Sequence, residues 1–402
     1  MQELVVVTRF FSGIEDILTT GHWGHSGSPA YYHFIRKLDL REDIDYKFFL
    51  LSPKLIGNNR KKIIVFDNLD VVANIVPYYP IFFSEYISFI KKIEFFYNKI
   101  RQYIFVLSRA YQANNYYIDR DNILFTFILL AISRSNIVIT RLLGVPENMY
   151  KHLTYRGNIY SKIIRWVFNH NRAYFVCTND GSYAEKISKK FGGDRFYLLF
   201  NGVDKNLISI PKVFNNKEFP KITKIAYVSR IVPGKGHVDI IEVLRKINTK
   251  NSVVVYMIGD GKLEDKCKKL VKKYRLDDNI LFLGKLSHKN TIEYISRSDI
   301  FISINYDGSF GNGVLEAATL GLPIVTLKHK GVLSKEYFQF FKFIENNERT
   351  KRDLENFLED FMNHKLLRQI MSKNSIEFSK RYLIDWEDRV DSEINTIVSI
   401  CT

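Results

Sequence analysis

The sequence feature that most constrains the fold is a strand, a glycine loop and a helix that follow one another within residues 303–326. This stretch reads SINYDGSFGNGVLEAATLGLPIVT, and isoleucines at alternate positions of residues 300–304 lead into it. A β-branched run of this kind is typical of a buried strand, and the helix signal starts at Val314. The loop brings free backbone N–H groups and the positive end of a helix dipole together, and Glu316 adds a carboxylate there. The stretch predicts a cradle for an anion or for hydroxyl groups, although any doubly wound strand–loop–helix unit would look similar.

The spacing within this loop resembles the donor-sugar loop of the family 4 (group 1) retaining glycosyltransferases. In that family a Glu, seven residues and a second Glu bracket a loop that contains glycine. Glu316 stands at the second Glu, so the resemblance implies that its carboxylate holds the ribose of a nucleotide. The resemblance also implies that the loop backbone holds donor-sugar hydroxyls and phosphate. The donor-binding residues concerned are Ser309, Phe310, Gly311, Asn312, Gly313, Val314 and Leu315.

The first Glu of the pattern is missing, because Gly308 occupies its position. Asp307 lies one residue earlier, and its side chain is one methylene shorter. The flexible glycine beside it would let the loop swing this carboxylate inward. We therefore predict a catalytic, electrostatic role for Asp307 near the reacting carbon.

A second signal lies in the loop that reads SRIVPGKG at residues 229–236. Arg230 and Lys235 are separated there by a Pro–Gly turn that brings the backbone close. A planar guanidinium and a mobile ammonium together suit a diphosphate. The resembled family places an Arg and a Lys at these positions on the departing nucleoside diphosphate, so we predict that both are catalytic. The alternative is a solvated basic loop.

Strand and helix patterns alternate along the chain, and the alternation restarts after a polar stretch at residues 205–224. A chain of 402 residues is also too long for one ordinary core. We therefore predict an α/β protein whose first domain, residues 1–207, is Rossmann-like and acceptor-side. A second Rossmann-like domain, residues 208–380, would bind the nucleotide sugar. The resemblance implies that these domains face each other across a cleft in a GT-B fold, and that a C-terminal helix at 381–402 crosses back.

Several glycines stand where the predicted strands end. Gly259 and Gly284 close strands of the second half, and Gly27 lies in the turn-rich loop after the first strand. In the resembled family the loop that carries Gly27 lies near the donor phosphates. We therefore predict that all three glycines bind the donor. The tetrapeptide NGVD at residues 201–204 resembles the segment that closes the first domain at the cleft.

In the first half, the patterns predict strands at residues 103–107 and 136–140, with a buried helix at 123–132 between them. Arg141 follows the second strand directly. The carboxyl ends of parallel strands are where such sheets bind ligands, so Arg141 is a candidate for the acceptor side. A structural ion pair is the alternative.

The net charge of +16 predicts an acidic partner. A nucleotide phosphate, an anionic membrane surface and nucleic acid all fit this charge. Residues 78–101 mix aromatic side chains with lysines and arginine, which suits either a membrane interface or a core helix with a solvated basic face. No nucleic-acid partner is expected, because the lysines are scattered and no recognised module is present.

The three cysteines show no close pairing and no metal-binding spacing, so free thiols in a reducing cytoplasm are expected. No signal peptide is expected from the start of the chain, and the apolar run at residues 123–132 is too short to span a bilayer. We expect a cytoplasmic protein, either free or held at the inner membrane face. The resemblance implies that neither a cofactor nor a metal is needed, since side-chain cations and helix dipoles neutralise the diphosphate.

Together these features predict a retaining glycosyltransferase that moves a sugar from a nucleoside-diphosphate sugar to a saccharide or lipid-linked acceptor. Surface polysaccharide biosynthesis is the expected setting. Two alternatives stay open. One is a related two-domain epimerase or phosphorylase, and the other is a non-catalytic nucleotide-sugar-binding protein, which the missing Glu would favour.

Overall fold

The fold was analysed in a computed structural model of the chain. The structure describes residues 3–10, 29–52, 63–66, 71–76, 78, 88–155, 157–208, 222–247, 253–308, 310–331 and 334–402. These residues form two α/β domains, each built on its own mainly parallel sheet. The predicted fold class is confirmed.

The first domain contains an eight-stranded sheet with the order β3-β4-β2-β1-β5-β6-β7-β8. All neighbouring strands are parallel except β3, which runs antiparallel to β4. The strands are β1 (Leu4–Arg9), β2 (Tyr46–Leu51), β3 (Ile63–Phe66), β4 (Val71–Val76), β5 (Asn115–Asp119), β6 (Ile137–Leu142), β7 (Ala173–Thr178) and β8 (Phe196–Leu199).

The second domain contains a six-stranded parallel sheet with the order β11-β10-β9-β12-β13-β14. Its strands are β9 (Thr223–Val228), β10 (Val253–Ile258), β11 (Ile280–Gly284), β12 (Ile300–Ser303), β13 (Ile324–Lys328) and β14 (Lys342–Glu345). The strand order reverses between β9 and β12, and ligands bind parallel sheets at such a reversal.

Helices cover both faces of each sheet. Those of the first domain are α1 (Pro29–Asp39), α2 (Ser88–Arg109), α3 (Ile123–Ile132), α4 (Glu147–Thr154), α5 (Ile159–Asn169) and α6 (Ala184–Phe191). Those that follow are α7 (His237–Lys246), α8 (Glu264–Tyr274), α9 (His288–Ser296), α10 (Asn312–Thr319), α11 (Thr350–Asn363), α12 (Lys365–Tyr382) and α13 (Trp386–Cys401). Among the described residues, no helix combines the length and the apolar character of a membrane span.

Each sheet has an apolar core on both of its faces, as a parallel sheet between helices requires. Strand β1 shows how the sequence produces this arrangement. Val5 and Val7 enter one core, whereas Leu4 and Val6 enter the core on the opposite face. Successive side chains of a strand alternate between faces, so an unbroken apolar run supplies both cores at once.

The predicted strand at residues 103–107 is wrong, because these residues lie within helix α2. Tyr103 and Val106 both enter the core of the first domain. Their separation of three residues matches one helical turn, so the aromatic and β-branched composition was misleading. The strand that fills this place in the sheet is β5, which the sequence patterns missed.

The C-terminal helix α13 crosses back onto the first domain, as the resemblance implied. It buries Trp386, Val390, Ile394 and Ile397 in the same core as residues of β1. These positions are three or four residues apart and therefore share one helix face. Residues 203 and 385 form a parallel bridge, so the two chain crossings between the domains lie side by side.

Candidate active site

The candidate active site lies at the carboxyl ends of β9–β12, on the side of the second domain that faces the first. The loop after β9 carries Arg230 and Lys235. Asn305 and Asp307 follow β12, and the N-terminus of helix α10 comes next. The clamp loop, residues 229–236 with the two predicted diphosphate-binding cations, and the donor loop, residues 305–313, are thus neighbours in the structure.

Lys235 links the clamp loop to the donor loop. Its Nζ donates to Asn305 Oδ1 at 2.7 Å and lies 3.1 Å from Asp307 Oδ2. The Lys235 side chain is 18% exposed, whereas that of Asp307 is 71% exposed. An exposed partner contributes little free energy, so Asp307 can be exchanged for a ligand anion at small cost.

Arg230 is exposed, and among the residues that the structure describes nothing forms a hydrogen bond or an ion pair with its side chain. Its guanidinium therefore has all of its donors available for a ligand. The turn that carries both cations ends at Gly236, which has φ +60 and packs closely against Ile304. A Cβ at Gly236 would lie 2.3 Å from the Ile304 Cβ, so only glycine fits both the backbone and the space.

A cavity of about 120 Å³ lies between the clamp loop and the donor loop. Ser229 and Lys235 line one side of it, the end of β12 lines a second side, and residues 311–314 line a third. The first turn of helix α10 therefore opens into the cavity. Lys235 and the helix dipole give this cavity a positive potential, which suits a phosphate group.

Several backbone N–H groups of the predicted donor-binding residues already form hydrogen bonds within the protein. The N–H of Phe310 already donates to Asp180 O at 2.8 Å, and its ring is buried in an aromatic cluster. The N–H groups of Val314 and Leu315 both reach Gly311 O, at 2.9 and 3.3 Å. These three N–H groups therefore already have acceptors within the protein, while Val314 does line the cavity, and the donor-binding role of the three residues stays a prediction. Gly311, Asn312 and Gly313 keep the predicted location at the helix N-terminus.

Two contacts tie the donor loop to the first domain. Asn201 Nδ2 donates to Asn312 Oδ1 at 2.7 Å, and Phe310 N donates to Asp180 O. Asn201 belongs to the NGVD tetrapeptide, which lies at the cleft as the resemblance implied. The first turn of α10 is therefore held from the opposite domain.

Gly308, which replaces the first Glu of the resembled pattern, packs directly against Asp180. A Cβ at Gly308 would lie 3.0 Å from the Asp180 backbone oxygen and 3.5 Å from its Oδ2. Burial raises the pKa of Asp180, although hydrogen bonds from Ser182 oppose this effect. Sequence patterns missed Asp180, yet its position directly after the predicted strand β7 was a usable signal.

Glu316 lies on helix α10 and is mostly buried, with 14% of its side chain exposed. Its Oε1 is 2.9 Å from His288 Nε2, at the start of helix α9. The hydrogen bond to Glu316 raises the pKa of His288, which favours an imidazolium beside the carboxylate. This contact leaves Glu316 Oε2 for a ligand hydroxyl. His288 carried no spacing signal in the sequence.

The structure describes only some of the other residues that were predicted to bind the donor. Gly259 N donates to Gly284 O at 2.8 Å, so these two residues join the ends of β10 and β11 beside the clamp loop. Gly27 and Ser309 lie outside the residues that the structure describes.

The acceptor-side role predicted for Arg141 does not fit the structure. Its side chain is 2% exposed, and its Nε lies 3.2 Å from Glu393 Oε1 on helix α13. Arg389 Nη1 binds the other oxygen of Glu393 at 2.6 Å, and the Tyr117 hydroxyl also donates to this carboxylate. Arg141 therefore holds the C-terminal helix on the first domain, which is the structural alternative that its sequence position left open.

Residues 210–378 match the family described as glycosyl transferases group 1. Over 380 residues the chain is 23% identical to an uncharacterised glycosyltransferase, MJ1069, of Methanocaldococcus jannaschii, which covers 87% of this chain and 89% of that protein. Another match spans only 32% of each protein, at 27% identity, and is N-acetyl-α-D-glucosaminyl L-malate synthase of Bacillus anthracis.

A solved structure with the same fold is Anabaena Alr3699/HepE in complex with UDP and glucose. It has a TM-score of 0.67 at 13% identity and covers 99% of this chain and 100% of that one. These similarities agree with the arrangement of the two sheets. Residues 210–378 form a group 1 glycosyltransferase domain, and the chain is a glycosyltransferase with the two-domain GT-B fold.

Proposed function

We propose that this glycosyltransferase takes its sugar from a nucleoside-diphosphate sugar and transfers it, with retention of configuration, to a saccharide or lipid-linked acceptor. One observation carries the proposal. Lys235, Ser229 and the first turn of helix α10 line one cavity at the strand ends. That combination of a cation and a helix N-terminus suits a diphosphate. The UDP and glucose bound in the HepE structure support the same ligand class.

The clamp would act on the leaving group. As the glycosidic bond breaks, negative charge grows on the nucleoside diphosphate, and cations already in place stabilise that charge. Lys235 would exchange Asp307 for a phosphate oxygen, while the exposed Arg230 would take a second one. The side-chain cations and the dipole of α10 would then serve without a metal ion.

Asp307 would have a second role once Lys235 has turned to the phosphate. Its carboxylate is released into the cleft beside Gly308, where it can stabilise positive charge on the reacting carbon. This role supports the proposal of a working enzyme despite the missing Glu. The retaining outcome is supported by the resemblance of the loop, because a retaining family shares its spacing.

The proposal is tested by thermal-shift screening of nucleotide sugars, followed by a transfer assay in the presence of EDTA. We expect one class of nucleotide sugar to stabilise the chain, and its sugar to appear on an acceptor with unchanged anomeric configuration by NMR. An altered sugar nucleotide formed without acceptor would favour the epimerase alternative. Binding of the donor without any turnover would favour the non-catalytic binder.

We also propose that the first domain docks on an anionic membrane surface through helix α2, at the inner face of the membrane. Several inward-facing positions of this helix are polar. Glu94, Asn98 and Gln102 are buried, and Gln102 Nε2 donates to the backbone oxygens of Ser52 and Val76. Large apolar side chains face solvent instead, and these are Ile93, Phe95, Phe96, Tyr97, Ile100 and Ile104, from 40% to 60% exposed.

The positive charge of helix α2 favours an anionic lipid surface as the partner of this exposed apolar face. Helix α2 contains Lys91, Lys92, Arg101 and Arg109 against a single Glu, while its remaining lysine, Lys99, donates inward to Asn122 Oδ1 at 2.8 Å. Aromatic and aliphatic side chains mixed with cations are typical of a helix at an anionic interface. The net charge of +16 adds a long-range attraction to such a surface. A lipid-linked acceptor would reach the cleft from the same surface.

Replacing both Ile100 and Ile104 by serine is expected to weaken co-sedimentation with phosphatidylglycerol-containing vesicles at least about ten-fold, since it removes two exposed apolar anchors. Binding of the wild type should fall as salt rises and should be weak on pure phosphatidylcholine. Leu366→Ser is the matched control, because Leu366 is 67% exposed on the second domain. Binding that ignores lipid charge, salt and the double substitution would contradict the proposal.

A further inference from the structure

A buried histidine lies directly behind the clamp loop and has no role in the function proposed above. His237 is the first residue of helix α7 and is 2% exposed. Its Nε2 lies 3.2 Å from the Ser229 Oγ, and its ring packs edge-on against Tyr227. Ser229 in turn lines the cavity that also contains Lys235. Tyr227 also lines this cavity, so the histidine contacts two of its lining residues, and the contact within hydrogen-bond distance is the one with the serine.

The surroundings of His237 define its protonation. Burial lowers the pKa of His237 to about 4, and Lys235 adds to that effect while a hydrogen bond with the Ser229 backbone opposes it. The ring is therefore neutral at physiological pH, with one N–H and one lone pair. Its Nδ1 is buried and has no hydrogen-bond partner among the described residues. A buried N–H without an acceptor is rare in proteins, so the proton belongs on Nε2.

This tautomer fixes the direction of the Ser229 hydroxyl. With its proton on Nε2, the ring donates to Ser229 Oγ, and the Ser229 backbone oxygen is a second acceptor for the same N–H. Because its oxygen accepts from His237, the hydroxyl must donate its own proton elsewhere. The cavity is the open direction, since Ser229 lines it.

We propose that Ser229 is a third phosphate-binding residue of the clamp and that His237 is the positioning residue that turns its hydroxyl toward the phosphate. The inference rests on the proposed function, because it assumes that a diphosphate occupies this cavity. Arg230 and Lys235 would contribute charge, whereas Ser229 would contribute a neutral donor in a fixed direction. An oriented donor of this kind recognises phosphate oxygens but adds nothing to binding of the nucleoside.

The test compares the affinities of UDP, inorganic pyrophosphate and uridine by calorimetry in Ser229→Ala, His237→Leu and His237→Gln. We expect Ser229→Ala and His237→Leu each to weaken UDP and pyrophosphate binding about five- to ten-fold, which is the effect of losing one hydrogen bond. His237→Gln keeps an N–H near the Nε2 position, so its affinities should stay within about two-fold of wild type. The double variant Ser229→Ala/His237→Leu should lose no more than either single variant, because both act through one contact.

Ser296→Ala on helix α9 serves as the control for loss of a serine hydroxyl outside the cavity. Thermal unfolding of each variant separates a local effect from a loss of folding. Unchanged UDP affinity in Ser229→Ala, or an equal loss for uridine, would overturn the inference while leaving the proposed function intact. A wild-type chain that binds neither UDP nor pyrophosphate would instead contradict both the inference and the UDP-based form of the proposed function.

Discussion

Replacing Lys235 by alanine is expected to lower kcat/KM for sugar transfer about 100-fold, whereas Asp307→Asn is expected to tighten binding of the free nucleoside diphosphate. Lys235 Nζ lies 3.1 Å from Asp307 Oδ2 in the structure, so a phosphate must displace this carboxylate. Loss of the ammonium removes a charge-assisted contact of roughly 1.5–3 kcal/mol. Loss of the carboxylate charge removes the competitor of the phosphate. The two variants should therefore move diphosphate affinity in opposite directions.

The turnover number kcat gives a second, independent measurement on the Asp307→Asn variant. If Asp307 also stabilises charge at the reacting carbon, kcat should fall about 100-fold in Asp307→Asn even though the diphosphate binds more tightly. Lys246→Ala is the matched control, because this half-exposed lysine on helix α7 pairs with Glu355 across the surface, away from the cavity. Near-normal kcat in Asp307→Asn would show that Asp307 is only the resting partner of Lys235. Unchanged diphosphate affinity in both variants would remove the clamp from the mechanism.

Local patterns were sufficient to predict the fold and the position of the clamp. The apolar run of β1 predicts a buried strand, because both faces of that strand pack against a core. Arg230 and Lys235 could be paired from the sequence because they share one short loop. The donor loop was equally accessible, since strand, glycines and helix follow one another in sequence. These features depend on neighbours within a few residues, which is the range over which periodicity and turn chemistry act.

Predictions failed where a residue depends on a partner far along the chain. Arg141 stands at a strand end in the sequence, but Glu393 near the other end of the chain neutralises it. Asp180 meets Gly308 only because the two domains face each other, so no spacing reveals the pair. The prediction of a strand at residues 103–107 failed for a different reason. The composition of this segment suits a strand, whereas the three-residue spacing of its buried side chains suits the helix that forms.

Helix α2 also shows the limit of composition as a guide. The mixture of aromatic residues and cations at residues 78–101 fits a membrane helix and a core helix equally well. The structure describes Tyr78 and residues 88–101 of this segment, and there the side chains of Glu94 and Asn98 face inward. Only the orientation of the helix separates the two interpretations, and this orientation is set by distant contacts such as those of Gln102 with the backbone oxygens of Ser52 and Val76, at the ends of β2 and β4.

Replacing Glu393 by alanine is expected to lower the free energy of unfolding of the first domain by about 3–5 kcal/mol, because it leaves two buried guanidinium groups without their shared carboxylate. Arg141 and Arg389 are each 2% exposed, and Glu393 binds one with each oxygen. Burial alone would raise the pKa of Glu393, but the two arginines lower it, so the carboxylate is ionised at neutral pH. Denaturant unfolding, with hydrogen exchange to identify the domain that opens, measures the loss.

Glu387, which lies on the same helix α13 as Glu393, offers a matched control. Glu387 pairs with Arg36 at 2.7 Å but is 43% exposed, so Glu387→Ala should cost less than about 1 kcal/mol. The pH dependence gives an independent check on Glu393. A lowered pKa stabilises the folded state above the ordinary Glu value of 4.5, and this contribution is lost as pH falls through the lowered pKa. The difference between wild type and Glu393→Ala should therefore be full at pH 7 and shrink in acid. If both variants cost the same at pH 7, the buried network does not fasten the C-terminal helix, and its apolar face alone holds the crossing.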